Sequence, residues 1–159
     1  MSYDVVYISP SLRTLQTYEN IPISCGRVVV TPLIRERNRI RAAVIGKTAD
    51  LLRNNFPAIQ FDQLDRHEYW WRHDYQPHFE KGLRRESDES LHCRMAFFLV
   101  WVLLQPETNV LIISHSAFLD QLLELEYFDR PDNCRPYVLE PSAIIRFFRR
   151  MRTRPKPKL

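Results

Sequence analysis

NVLIISHS, residues 109–116, is an apolar run that ends in a serine and a histidine. A continuous apolar run of this kind is typical of a strand that helices cover on both faces, as in parallel sheets. Two further runs, DVVYI at residues 4–8 and RVVVT at residues 27–31, are rich in β-branched residues, and a proline follows each closely. The three runs therefore predict buried strands that end in turns.

The segments between these runs carry helix signals. Leu12, Leu15 and Tyr18 lie three residues apart, after serines that can cap a helix. Helices are predicted over residues 11–18, 42–55, 86–105 and 116–127, and a last strand over residues 142–148. Alternating helices and strands are typical of α/β proteins, so we expect a three-layer α/β/α sandwich with a mostly parallel sheet.

The helix predicted over residues 86–105 has the clearest pattern. Two acids, Asp88 and Glu89, lie in its first turn, where the helix dipole favours negative charge. Its apolar stripe at helical spacing consists of Leu91, Met95, Phe98 and Val102. Pro106 then ends the helix. In contrast, residues 62–85 are polar and aromatic, and they predict a long loop.

Length and composition exclude several classes of protein. A chain of 159 residues has the length of one domain, and its 45% hydrophobic and 26% charged residues exclude a wholly disordered chain. The sequence contains only three glycines, so it has no glycine-rich phosphate loop of the dinucleotide-binding or P-loop kind.

The cellular compartment is predicted from three features. The longest apolar run, residues 95–104, has ten residues, short of the roughly 18 that span a bilayer. The N-terminus has no basic region before a long apolar stretch, so no signal peptide is predicted. The three cysteines are widely spaced and odd in number, which argues against a disulfide framework and against a zinc site. We expect a cytoplasmic protein.

Positive charge is concentrated at the C-terminus. Residues 146–159 hold seven basic residues and no acid, whereas residues 1–145 hold 16 basic and 19 acidic residues. We expect one domain over residues 1–149 and a basic, disordered tail over residues 150–159. The tail is either a solvated segment or a contact for nuclear import, nucleic acid or an anionic membrane. It lacks the interleaved aromatic residues of single-strand binders, so nucleic acid is not the expected partner.

Two segments are candidates for chemistry because they follow predicted strands. Functional loops of parallel sheets lie at the carboxyl ends of the strands. His115 lies between a strand and a helix N-terminus, which suits an anion such as phosphate. Arg13 lies about one turn into the first helix, where its guanidinium can bind phosphate oxygens as a fork. The alternatives are a capping histidine and a solvated helix arginine.

Glu36 is a candidate acid. It is the single acidic residue of the segment LIRERNRIR, residues 33–41, which contains four arginines. Such a carboxyl group could donate or accept a proton at an anion site, where its positive neighbours would favour the ionised form. The alternative is an ion-pair partner on a charged surface.

Several segments together resemble the histidine phosphatase superfamily, which includes the cofactor-dependent phosphoglycerate mutases. VVYISPSLRTLQT looks like the family's YxSPLxRxxQT segment, and VVVTPLIRER looks like its segment ending in LxE. ESDESLHCRMAFFLVWVLL followed by NVLIISHS resembles its ES…R helix and its strand with the SHG segment. FPAIQFDQLDRHEYWW more closely resembles the phosphoglycerate mutase-like proteins of plants, fungi and protists. The resemblance covers residues 4–149, with the four motifs in the family's order.

The resemblance implies roles for individual residues. Arg13 would bind the transferred phosphate, Glu36 would protonate the leaving oxygen, and His115 would stabilise the in-line transition state. The backbone of Ser116 would hold the same phosphate oxygens, although Ser116 and Ala117 stand where the family usually has glycine. Lower-order candidates for the substrate pocket are Arg37, Arg39, Trp70, Trp71 and Arg72; the alternative for the two tryptophans is simple core packing. No cofactor and no metal ion are expected.

The sequence departs from the family at the nucleophile. Family members use a histidine in an RHG motif that follows their first strand, upstream of the SPLxR segment. DVVYI begins three residues after Met1, so we expect this RHG strand to be missing from the sequence. The other histidines, His67, His73, His78 and His92, have no such context, and the spacing of His73 and His78 alone is a weak indication of metal. A missing strand would leave an exposed sheet edge, which would favour self-association into a homo-oligomer.

Two functions therefore stay open. The first is a phosphatase or phosphomutase that acts on an anionic phosphate ester without a metal ion. The second is a pseudophosphatase, or a gene fragment, that binds phosphorylated ligands without turnover, since covalent catalysis needs an activated nucleophile. In both cases the expected partner is a small phosphorylated substrate or a phosphopeptide.

Overall fold

The computed structural model of the chain describes residues 1–37, 46–65, 70–71, 86–123 and 134–153. All statements about the structure below refer to these residues. The elements in chain order are β1 (Ser2–Ile8), α1 (Leu12–Asn20), β2 (Ser24–Val30), a 3-10 helix (Pro32–Ile34), α2 (Ala49–Asn55), α3 (Asp88–Leu103), β3 (Val110–Ile113), α4 (Ser116–Leu123) and α5 (Pro141–Thr153).

The described strands form one parallel sheet in the order β2-β1-β3. Val5 in the central strand lies opposite Arg27 on one side and Val110 on the other. At the far end of the strands, Ile8 lies opposite Val30 and Ile113. The three apolar runs thus form the predicted parallel strands, and all three strands end at one edge of the sheet.

Helices cover both faces of the sheet. Val6 and Ile8 point into one apolar cluster that includes Leu15 of α1 and Leu52 of α2. The alternate residues of β1, Val5 and Tyr7, point into a second cluster formed with α3, α4 and α5. Side chains of successive strand residues point to opposite faces, so one strand contributes to both clusters. The predicted three-layer α/β/α sandwich is confirmed.

Helix α3 forms where the sequence predicts it. The Ser87 side chain accepts a hydrogen bond from the backbone N–H of Ser90, which caps the helix, and two acids follow in the first turn. Leu91, Met95 and Phe98 of the predicted stripe are fully buried in the second cluster. Leu99 is buried beside them, so the buried face is wider than the predicted stripe.

One predicted element is wrong, because residues 142–148 lie in helix α5 and not in a strand. The sequence SAIIRFF is apolar and β-branched, but its buried residues, Ala143 and Phe147, are four apart, which is helical spacing. Pro141 at the first helical position also favours a helix start. The helix continues to Thr153, so the first four residues of the predicted tail are helical.

Other differences are smaller. Helix α2 begins at Ala49, and residues 46–48 are not helical, although a helix was predicted from residue 42. Parts of three predictions lie outside the described residues: the start of that helix, residues 124–127 of the helix after His115, and residues 154–159 of the tail. Most of the predicted loop over residues 62–85 also lies outside, with His67, His73 and His78. None of the helices in the described segments is both long and apolar enough to cross a bilayer.

Candidate phosphate site at the carboxyl edge of the sheet

The carboxyl ends of the three strands bring together residues that are far apart in the sequence. Ser9 follows β1, His115 follows β3 by two residues, and Glu36 follows β2 after the 3-10 helix. Arg13 lies in the first turn of α1, just beyond Ser9. Three of the residues predicted to act together, Arg13, Glu36 and His115, therefore meet at one edge of the sheet.

His115 is buried and has a partner at each ring nitrogen. Its Nδ1 atom lies 2.8 Å from Nη2 of Arg13, and its Nε2 atom lies 2.7 Å from Oγ of Ser9. A guanidinium group can only donate hydrogen bonds, so Nδ1 must be the acceptor. In a neutral imidazole the proton then resides on Nε2, which donates to Ser9. The arginine thereby fixes the tautomer of the ring.

The electrostatic environment keeps His115 neutral. Burial, together with the positive charges of Arg13 and Arg94, lowers the pKa of His115 to about 3. Oε2 of Glu36 lies 3.9 Å from Nδ1 of His115. Because the ring is neutral at physiological pH, this contact is not an ion pair. His115 thus offers one N–H donor and no positive charge.

Arg13 supplies the positive charge of the site. Its Nη2 atom lies 3.6 Å from Oε2 of Glu36, and its side chain remains about half exposed, at 48%. A planar guanidinium that is open to solvent on one side can turn and bind two oxygens of a phosphate group. Arg13 is therefore able to exchange its protein partners for an anion.

Local structure holds Glu36 in place. The side chain of Thr31 accepts a hydrogen bond from Leu33 and caps the 3-10 helix. Oγ of Ser114 donates to the carbonyl oxygen of Ile34 over 2.8 Å, which ties the end of β3 to the same short helix. The carboxylate of Glu36 also accepts the backbone N–H of Arg37 at Oε1 over 2.9 Å. Its other oxygen, Oε2, is the one that faces Arg13.

Helix α4 adds backbone donors beside His115. The carbonyl oxygen of His115 accepts the N–H groups of Phe118 and Leu119, so His115 occupies the start of the helix. Ser116 is the first helical residue and is exposed. The first N–H groups of a helix have no partner within the helix, and the helix dipole adds positive potential there. This end of α4 suits an anion.

Sequence reasoning missed a buried ionic cluster next to the site. Glu86 is fully buried, and its carboxylate contacts both Arg35 and Arg94. Nη1 of Arg94 also donates to the carbonyl oxygen of Leu33 over 2.7 Å. The cluster thus joins the start of α3 to the segment that carries Glu36. Its only sequence signal is Glu86 and Arg94 in the ES…R segment, which indicates a helix and not a partner for Arg35.

The remaining predicted pocket residues do not lie together: Arg37 is beside the ionic cluster, whereas Trp70 and Trp71 are in the apolar core. Arg37 lies at the rim of this cluster, where its Nη2 atom lies 2.6 Å from Oδ1 of Asp88. Trp70 and Trp71 are buried in the apolar cluster on the α1–α2 face, with their rings in edge-to-face contact. Nε1 of Trp70 donates to the carbonyl oxygen of Lys47. Arg39 and Arg72 lie outside the described residues.

The comparisons with known proteins agree with this fold. The family model of the histidine phosphatase superfamily (branch 1) matches residues 1–131. The match covers most of the chain and includes β1, β2, β3 and every residue of the site. The chain therefore belongs to the histidine phosphatase superfamily. Searches of curated proteins and of solved structures found no match.

Proposed function

We propose that the carboxyl edge of the sheet binds the phosphate group of a small phosphate ester or a phosphopeptide, and that the protein transfers this group to water or to a second hydroxyl group. The proposal is carried by one observation: Arg13, Glu36 and His115 meet within 4 Å at the carboxyl edge of a parallel sheet. Membership of the superfamily supports phosphoryl transfer on phosphate esters as the general chemistry.

The positive and neutral donors would bind the phosphate. Arg13 would turn its guanidinium from Nδ1 of His115 to two phosphate oxygens, because a charged fork binds an anion more strongly than a neutral ring. Once Arg13 leaves Nδ1, the neutral ring of His115 would shift its proton from Nε2 to Nδ1, with Oγ of Ser9 donating to Nε2 instead, and would contribute its N–H at Nδ1. The backbone N–H of Ser116 at the start of α4 would bind a third oxygen. Together these groups would stabilise the charge on the transferring phosphoryl group.

Glu36 would act as the proton donor. Its Oε2 atom lies beside Arg13, so a phosphate bound there would place a second anion close to the carboxylate. Two adjacent negative charges favour protonation of one of them. The carboxyl group would then be in the form that can donate a proton to the leaving oxygen of the ester.

A second candidate is a pocket that binds phosphate without turnover. The partners of His115 favour it, because both ring nitrogens have hydrogen bonds and the lone pair on Nδ1 points at Arg13. His92, the other histidine among the described residues, contacts Gln121 of α4 with Nε2. Covalent transfer through a phosphohistidine would need a further histidine, outside the described part of the chain or on another chain.

The test is hydrolysis of p-nitrophenyl phosphate by the full chain with EDTA present. The variants are Arg13→Ala and His115→Ala, and Arg53→Ala in α2 is the control because its ion pairs lie with Asp50 and Asp65. Turnover by wild type and by the control, lost in both site variants, would support the enzyme. No turnover, with orthovanadate raising the melting temperature of wild type and control only, would support the binding pocket. If neither turnover nor a rise in melting temperature is observed, both candidates are contradicted.

A further inference from the structure

The three residues Arg35, Glu36 and Arg37 divide their side chains between two directions. Arg35 has extended backbone angles, with φ −63° and ψ 162°. Successive side chains of an extended segment point to opposite sides. Arg35 and Arg37 both reach Glu86, whereas Glu36 reaches Arg13. Glu86 thus holds the segment on one side, and the carboxylate of Glu36 faces Arg13 on the other.

Glu86 accepts hydrogen bonds from both arginines and from a third. Its Oε1 atom lies 3.1 Å from Nη2 of Arg35 and 2.7 Å from Nε of Arg94, and its Oε2 atom lies 2.9 Å from Nη2 of Arg94. Its backbone carbonyl oxygen accepts Nε and Nη2 of Arg37 over 3.3 and 3.1 Å. One residue therefore fixes both sequence neighbours of Glu36.

Glu86 is attached to a well-packed helix, α3. Glu86 immediately precedes Ser87, which caps α3, and Asp88 in the first turn of α3 pairs with Arg37. Helix α3 is held in the core by fully buried Leu91 and Met95. The start of α3 thus helps to set the position of Glu36, in addition to the contacts within its own segment.

We propose that Glu86, through Arg35 and Arg37, is a positioning residue that holds the carboxylate of Glu36 against Arg13. The inference deepens the proposed function and rests on it. Glu86 and Arg37 act through Glu36 and do not themselves contact the phosphate. The buried pairs of Arg35 and Arg94 with Glu86 also contribute to folding. The outer contact, between Arg37 and Asp88, contributes much less to stability. Asp88 is 60% exposed, and ion pairs with so exposed a partner contribute little to stability.

Substitutions in the contact between Arg37 and Asp88 therefore test the positioning of Glu36 separately from folding. Arg37→Lys keeps the positive charge but loses the planar group that reaches Glu86 and Asp88 together. Asp88→Asn weakens the same contact from the exposed side and serves as the second variant. Arg53→Lys is the matched control, since Arg53 also joins two carboxylates, on the surface of α2.

The experiment measures sulfate affinity by calorimetry in a double-mutant cycle with Glu36→Gln. Sulfate is a suitable probe because it remains a dianion at every pH used. A positioned Glu36 competes with sulfate for Arg13, so its release should strengthen binding. We expect Arg37→Lys to tighten sulfate binding about threefold when Glu36 is present and to leave it unchanged in the Glu36→Gln background. Asp88→Asn should also tighten sulfate binding only when Glu36 is present. Arg53→Lys should leave sulfate binding unchanged in both backgrounds.

Two outcomes would overturn the inference, and a third would contradict the proposed function. Equal changes in both backgrounds would mean that Arg37 acts on the fold or on the anion directly and not through Glu36. No change in either background would mean that Glu36 is held by other contacts. Absence of sulfate binding by wild type would instead contradict the proposed function, on which the inference rests. The melting temperatures of the variants, measured alongside, separate a loss of folding from a loss of positioning.

Discussion

Nη2 of Arg13 donates a hydrogen bond to Nδ1 of His115 over 2.8 Å, so a half-exposed guanidinium group contacts a neutral ring. This contact joins α1 to the end of β3 across the carboxyl edge of the sheet. It also fixes the proton of His115 on Nε2, opposite Ser9. In the proposed function, a bound anion draws Arg13 away from the ring.

The pKa of His115 predicts a loss of stability in acid. The pKa is about 3 in the folded protein against 6.5 for an ordinary histidine, so the unfolded chain binds the extra proton between these values. The free energy of unfolding should therefore keep its full value above about pH 6.5, where His115 is neutral in both states. It should fall as the pH drops towards about 3. The loss from this group reaches about 5 kcal/mol, because one pKa unit corresponds to about 1.4 kcal/mol.

The check is urea unfolding of wild type and His115→Gln at several pH values in this range. The glutamine keeps a donor for Ser9 but cannot be protonated there. The two proteins should differ most at neutral pH and converge in acid. Parallel curves would show that His115 does not titrate differently in the folded and unfolded states.

The packing of α3 predicts a large difference between two neighbouring phenylalanines. Phe98 is fully buried, with its ring in edge contact with Tyr7 and Phe118, whereas Phe97 is 66% exposed. Phe98→Ala should lower the free energy of unfolding by about 3–5 kcal/mol, through lost burial and a cavity. Phe97→Ala should change it by about 0.5 kcal/mol or less. Urea unfolding at neutral pH measures both, and equal losses would place α3 the wrong way round.

The buried cluster predicts that Glu86 is needed for folding. Glu86→Gln would leave the guanidinium groups of Arg35 and Arg94 buried without their carboxylate. Removing one partner of a buried ion pair costs about 3–5 kcal/mol, because an uncompensated charge remains. Glu89→Gln, a change at an exposed acid in the first turn of α3, is the control and should cost about 0.5 kcal/mol or less. Thermal unfolding of the two variants checks this, and similar melting temperatures would refute it.

Much of the fold could be predicted from the sequence because strand burial leaves a local signal. The three apolar runs are continuous, since both faces of a parallel sheet are covered, and each run became a strand. The meeting of Arg13 and His115 followed from the rule that functional loops lie at the carboxyl ends of such strands. The helix α3 followed from its cap, its acids and its apolar spacing.

The rest depends on contacts between distant residues. Glu86 and Arg35 are 51 positions apart, and nothing in either segment indicates that they pair. For this reason the arginines around Glu36 suggested an anion pocket, whereas the structure directs Arg35 and Arg37 to Glu86. Residues 142–148 were assigned to a strand because β-branched and aromatic residues suit both structures in a short run. The spacing of Ala143 and Phe147 and the position of Pro141 distinguish them.

The most direct test of the phosphate site is calorimetric titration of inorganic phosphate into wild type, Arg13→Gln and Arg53→Gln. The account predicts that Arg13→Gln binds phosphate about tenfold or more weakly than wild type, because a charged hydrogen bond to the anion is lost. Arg53→Gln should match wild type. Equal affinity of all three proteins, or no binding by wild type, would contradict the assignment of Arg13 and His115 to a phosphate site.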